Sequence, residues 1–137
     1  MESLPPTEEN IQKLAALIKE LIQKKNTSSP IIAELLGTEP NSLKDWCYVA
    51  SATLYQYFDG KNLTLYRKKD IADKFHWWCI TDSGTVIDIT ADQYSIEGQP
   101  IPSDDPDDAE RSNLMGFPSY KKKVQKLMAE LHDQLQT

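Results

Sequence analysis

Apolar positions near the start of the chain recur at helical spacing. Ile11, Leu14, Ala15, Ile18, Leu21 and Ile22 fall on one face, which predicts an amphipathic helix. Thr7 is placed to cap it. Glu8 and Glu9 suit its positive N-terminal end, and Lys24 and Lys25 suit the other end. The segment "SSPIIAELLG" predicts a short second helix, with Ser29 as cap, Pro30 in the first turn and Gly37 as terminator. A third helix is predicted within "NSLKDWCYVASATLYQYFDG". Ser42 or Asp45 can cap it, Gly60 ends it, and Trp46, Val49, Ala50, Thr53, Leu54 and Tyr57 make its buried stripe. The pattern then changes to alternation. "LTLYRKK", "KFHWWCIT" and "TVIDIT" read as three strands, the last two joined by the tight turn Asp82-Ser83-Gly84, with Gly84 suited to a left-handed backbone. A last helix is predicted after Pro118, capped by Ser119, with Val124, Leu127, Met128, Leu131 and Leu135 as its apolar stripe.

These elements describe one domain over 1–137, with a core at 42–94 and a C-terminal helix at 119–136. Between them, 95–118 holds four prolines and a dense acidic patch and shows no periodicity. A loop of that length in a small domain signals function or mobility. The predicted fold class is α+β: an antiparallel sheet packed on the central, cysteine-bearing helix, flanked by the N- and C-terminal helices. The first two helices have an alternative role as an appended arm.

Composition adds bounds. The 137 residues carry 15 Lys plus Arg against 21 Asp plus Glu, a net charge of −6, which gives no bulk attraction to nucleic acid or anionic lipid. The run Lys121, Lys122, Lys123 reads as a solvated helix face. No apolar run approaches the roughly 18 residues that span a bilayer, and the acidic start "MESLPPTEEN" is unlike a secretory leader. The expectation is therefore a cytoplasmic, reduced protein in which Cys47 and Cys79 are free thiols.

The chemistry concentrates at residues 74–94. With a three-residue turn, Thr81 faces Thr85, His76 lies opposite Thr90, and Asp88 lies opposite Trp78. Strand side chains alternate, so His76, Trp78, Asp88 and Thr90 share a face, and His76 and Asp88 are diagonal neighbours within hydrogen-bond reach. One residue more or less in the turn would send them to opposite faces. A carboxylate on one ring nitrogen fixes the tautomer and leaves the other nitrogen to take a proton. Cys47, near a helix start, is the matching nucleophile: exposed N–H groups and the helix dipole favour a thiolate there and can serve an oxyanion.

This order, carried by "DWCYVAS", "FHWW" and "GTVIDITADQ", resembles the transglutaminase-like branch of the papain-like cysteine enzymes. The resemblance covers roughly residues 43–94. It implies a papain-like/transglutaminase-like core with Cys47 as nucleophile, His76 as base and Asp88 as orienting acid. It also implies a thioester intermediate; the substrate does not carry over, and a protein or peptide substrate without a cofactor is the separate expectation. "GFPSYKKKV", with "HWW" and "DITADQ", is similar to a group of small bacterial and phage proteins, which covers more of the chain but says less about chemistry. The expected activity is that of a cysteine-dependent amide-bond enzyme: peptidase, deamidase or acyl transferase. The alternative is a catalytically inactive binding module of the same fold, such as a phage accessory protein that binds a host protein.

Around this triad, Trp46, Trp78 and Gln93 are the expected substrate contacts, and Asp92 is a weaker candidate for the orienting carboxylate. Cys79 alternates to the face opposite His76 and is expected in the core. That parity, and the absence of a Cys-x-x-Cys, argues against a metal site. His132 is expected at the boundary of the last helix. The acidic 95–118 loop is expected to cover the cleft and to favour a basic or neutral substrate.

Overall fold

The computed structural model describes residues 4–25, 46–92, 94, 98–105, 107–114 and 118–136. The described residues form three helices, α1 (Glu8–Lys25), α2 (Cys47–Tyr57) and α3 (Pro118–Gln136), and a four-stranded sheet. The strands are β1 (Leu63–Lys69), β2 (Phe75–Thr81), β3 (Val86–Ile87) and β4 (Glu110–Arg111), in the order β3-β2-β1-β4 and antiparallel throughout. The α+β class therefore stands. The helix expected at 29–37 and the caps Ser42 and Asp45 lie outside the described residues, as does the side chain of Ser119.

The local rules explain α1. The Asn10 N–H donates to the Thr7 hydroxyl at 3.2 Å, closing the N-terminus. Ile11, Leu14, Ile18, Leu21 and Ile22 are buried, so the face predicted by spacing is the face that packs. Glu8 leaves the helix start to meet the β2–β3 turn. There its carboxylate accepts from the hydroxyls of Thr81 (2.8 Å), Thr85 (2.7 Å) and Ser83. The Ser83, Thr85 and Thr81 hydrogen bonds hold the Glu8 carboxyl below its ordinary range.

α2 is buried on almost every side, from Tyr48 to Leu54 and at Tyr57, because β2, α3 and α1 all pack on it. This is broader than the stripe expected from spacing, which fits a surface helix rather than a central one. Trp46 and Cys47 at its start remain half-buried. Gly60 sits at φ 69°, and an added Cβ would come 2.8 Å from the Tyr55 hydroxyl, so a side chain there is excluded on two counts. α3 buries Val124, Leu127 and Leu131, with Met128 and Leu135 at the margin of the same core.

The β2–β3 turn has the expected register. Thr81 donates to the Thr85 carbonyl at 2.9 Å, and Cys79 pairs with Ile87. β3 is shorter than the predicted 85–90, however, since only Val86 and Ile87 pair. The reason is that α2 occupies the next stretch of the β2 edge. Odd-numbered backbone groups of β2 face the β3 side, as the Thr81–Thr85 bond shows. Trp77 O there accepts the Ser51 hydroxyl at 3.1 Å, and the Cys47 thiol lies 3.8 Å from Phe75 O. Four residues of helix rise about 6 Å and two residues of strand about 6.8 Å, so Cys47 and Ser51 match Phe75 and Trp77 in spacing.

The sheet thus has two differently covered faces. Leu65, Trp77 and Cys79 belong to the helix-side core. His76 and Trp78 point the other way, beside Tyr66 and against Tyr94, with the Pro102–Asp104 turn reaching Asp88 there. The 95–118 segment, predicted as unstructured, contains this 3-10 turn at Pro102–Asp104 and the edge strand β4.

Candidate active site

His76 has no exposed surface. Its Nε2 lies 2.7 Å and 2.9 Å from the two carboxylate oxygens of Asp88, which leaves the sheet immediately after β3 and turns back over β2. Trp78 stacks beside the ring at 5.9 Å, and Tyr94 meets it edge-on at 4.8 Å and 83°. Burial alone would disfavour the imidazolium. The Asp88 hydrogen bond, a hydrogen bond with the Cys47 thiol, and the charges of both partners outweigh it, and the ring pKa is pushed up to about 9. With Nε2 taken by Asp88, the thiol contact falls to Nδ1, since the two ring nitrogens point apart.

Cys47 is the first residue of α2 and is half-buried, so its sulfur is held by the helix yet reachable. Its position follows from the helix-to-strand match described above, with Ser51 one turn further along as the second anchor. The three expected triad residues therefore meet: thiol, imidazole and carboxylate form one hydrogen-bonded row.

Two supports were not anticipated. Ser103, in the 3-10 turn, is buried and donates its hydroxyl to Asp88 Oδ2 at 2.5 Å. Lys68 secures the same turn by donating to Asp105 O at 2.8 Å. A weak sequence signal existed for Ser103, since Pro102 can open a short helical turn and "SDD" can close it. Nothing in the sequence located its partner. The second support is Asp70, which accepts from the N–H groups of Ala72 (2.8 Å) and Lys74 (3.1 Å) and from the Tyr94 hydroxyl (2.8 Å), holding Tyr94 against His76. Ser103→Ala leaves a buried carboxylate oxygen one donor short. It is expected to destabilise the fold by about 1–3 kcal/mol, read as a lower urea midpoint with unchanged slope.

The expected substrate contacts divide. Trp46 is half-buried beside Cys47, with the Lys123 ammonium 5.7 Å from its ring centroid. Trp78 has no exposed surface, so contact with substrate is not available to it. It walls the imidazole from behind instead, and among the described residues its Nε1 has no hydrogen-bond partner. Gln93 lies outside the described residues. Asp92 forms an ion pair with Lys19 of α1, away from the imidazole. Cys79 is buried, donates to Ser51 O at 3.6 Å, and is pushed up to about 12 by burial. His132 lies 5.5 Å from the Tyr57 ring. An open groove lined by Ala15, Ala16, Lys19 and residues 86–89 reaches the far side of Asp88, not the thiol.

The YunG protein family model matches residues 10–136, nearly the whole chain and all three residues of this row. The chain belongs to the YunG family. No curated protein and no solved structure matches it. The YunG match spans most of α1 and all of α3 as well as the Cys47–Asp88 segment.

Proposed function

We propose that this YunG-family protein is a cysteine-dependent amide-bond enzyme with a transglutaminase-like core. The observation that carries the reading is the Asp88 carboxylate on Nε2 of His76, with the Cys47 thiol also hydrogen-bonded to the ring. The thiol proton passes to the ring before the attack, so that Sγ meets the carbonyl carbon with His76 already an imidazolium. Backbone N–H at the start of α2 stabilises the tetrahedral oxyanion. The imidazolium then protonates the departing amine as the C–N bond breaks, leaving a thioester. Water or a second amine attacks the thioester, giving its proton to His76, and the sulfur leaves and recovers that proton. Asp88 balances the imidazolium at both stages.

The test is limiting alkylation with iodoacetamide between pH 5 and 9, the modified residue located by mass spectrometry. A thiol of ordinary acidity is under about 1% thiolate at pH 6. Cys47 is expected to label at pH 6 about a hundredfold faster than in His76→Ala, and Cys79 to stay unmodified. Labelling of Cys47 only above about pH 8, unaffected by His76→Ala, would favour the non-catalytic binding module. Product analysis on glutamine-containing peptides, with and without an added amine, separates hydrolysis and deamidation from transfer.

A further inference from the structure

The chain carries −6 overall, and the 95–118 segment is acidic. Yet two aromatic residues joined to Cys47, Trp46 through the chain and Phe75 through its carbonyl, each carry a cation over the ring. Trp46, its neighbour in the chain, has Lys123 over its ring at 5.7 Å. Phe75, whose carbonyl lies 3.8 Å from Sγ, has the Arg67 guanidinium over its ring at 4.1 Å and Lys69 at 5.7 Å. Phe75 is 37% exposed, a large apolar ring left at the surface at this point. The two groups join through packed rings, Phe75 to Trp77, Trp77 to Tyr48, and Tyr48 to Tyr120 of α3.

Among the described residues, Arg67 and Lys69 each meet one carboxylate. Glu110 of β4 pairs with Arg67 through Nε at 3.1 Å, which leaves the terminal guanidinium nitrogens for a second carboxylate. Asp73 pairs with Lys69 at 3.4 Å, and both side chains are more than half exposed, where such a pair is weak. Lys123 projects from the exposed face of α3.

Resting on the reading of Cys47 as nucleophile, we propose that the acyl donor carries a carboxylate, bound by Arg67 and Lys123 on either side of the thiol. Phe75 and Trp46 supply the apolar floor, and each cation is held in place by its ring. Arg67 and Lys123 are the specificity-determining residues; of the acidic 95–118 segment, the Pro102–Asp104 turn sits on Asp88 while Glu110 pairs with one side of Arg67.

The test compares two alkylating agents of nearly the same size, iodoacetate (anionic) and iodoacetamide (neutral), at Cys47. The quantity read is the ratio of their rate constants, normalised to the same cysteine in the urea-unfolded chain, so that the reactivity of the thiol cancels. The Arg67→Gln/Lys123→Gln double variant is expected to lower the ratio about tenfold, and Lys123→Gln alone about two- to threefold. In the unmutated protein, raising salt from about 0.05 to 0.5 M is expected to lower it about threefold. Exposed cations are screened, whereas the buried imidazolium is screened much less. A ratio within twofold of the unmutated protein in the double variant overturns the proposal. If that variant does not fold, the salt series on the unmutated protein decides, and a flat series overturns it. Slow labelling by both reagents at pH 6 refutes the nucleophile instead, and the ratio still reads the anion site.

Discussion

Asp88→Asn is expected to lower turnover of a peptide amide by about three orders of magnitude while leaving the fold intact. The substitution keeps size and shape, and one amide oxygen can still accept from Nε2 of His76 or from Ser103. What it removes is charge. His76 has no exposed surface, so water does not stabilise its imidazolium, and burial alone drives the ring neutral. Asp88, with both oxygens within 2.9 Å of Nε2, is the largest force acting against burial. Once it is neutral, the ring takes up the thiol proton at a much higher free-energy cost, and the amide NH₂ placed near Nε2 competes for the wrong tautomer. Far-UV circular dichroism and the urea midpoint establish that the variant folds. Its turnover and its iodoacetamide labelling at pH 6 then report the charge effect. Turnover within about tenfold of the unmutated protein would refute the proposed triad. The companion variant Ser103→Ala separates positioning from charge. It leaves the carboxylate in place, so its effect on the pH profile is a small displacement rather than a collapse.

The meeting of His76 and Asp88 was legible because it depends on short-range rules. A three-residue turn with Gly84 sets the register, and the period of two along a strand then places every side chain. The α1 face and its Thr7 cap were legible for the same reason. The early end of β3 was not. It depends on Ser51 and Cys47 of α2 taking the β2 edge from β3, a competition between segments some thirty residues apart. The available clue was one of spacing: Ser51 is a polar residue one helical turn beyond Cys47, and it lies wholly inside the core. Ser103 and β4 were missed because the 95–118 segment has no periodicity. Its structure comes from partners it meets only in the folded state, Asp88 for the 3-10 turn and β1 for β4. The shared face of Trp78 with His76 followed from strand parity, but its expected contact with substrate did not hold. Burial of that face under Tyr94 and the Ser103 turn is a tertiary fact that strand parity does not contain.

His76 also ties the stability of the fold to pH, with a definite sign. Its pKa is about 9 in the folded protein against an ordinary 6.5, so the folded state holds the proton more tightly than the unfolded chain. The stabilisation is complete below pH 6.5, declines as pH rises, and is gone above about 9. The displacement corresponds to about 3 kcal/mol, or about 10 °C in Tm for a domain of this size. The groups around the ring are Asp88 after β3, Cys47 on α2, Tyr94 and Asp70, with Lys68 opposite it on β1. Tyr94 is pushed above its ordinary value by burial and by its bond to Asp70, and Cys79 up to about 12, so neither titrates in the window. Thermal melts of the unmutated protein and of His76→Gln from pH 6 to 9.5 test this directly. The difference between the two curves, rather than either alone, isolates the ring from lysines and surface groups common to both. The unmutated protein is expected to lose stability relative to His76→Gln across pH 6.5–9, with the steepest change near the middle of that interval. Curves that run parallel over that range would mean that the ring is neutral in the fold, and the imidazolium on which the thiol chemistry depends would be lost with it.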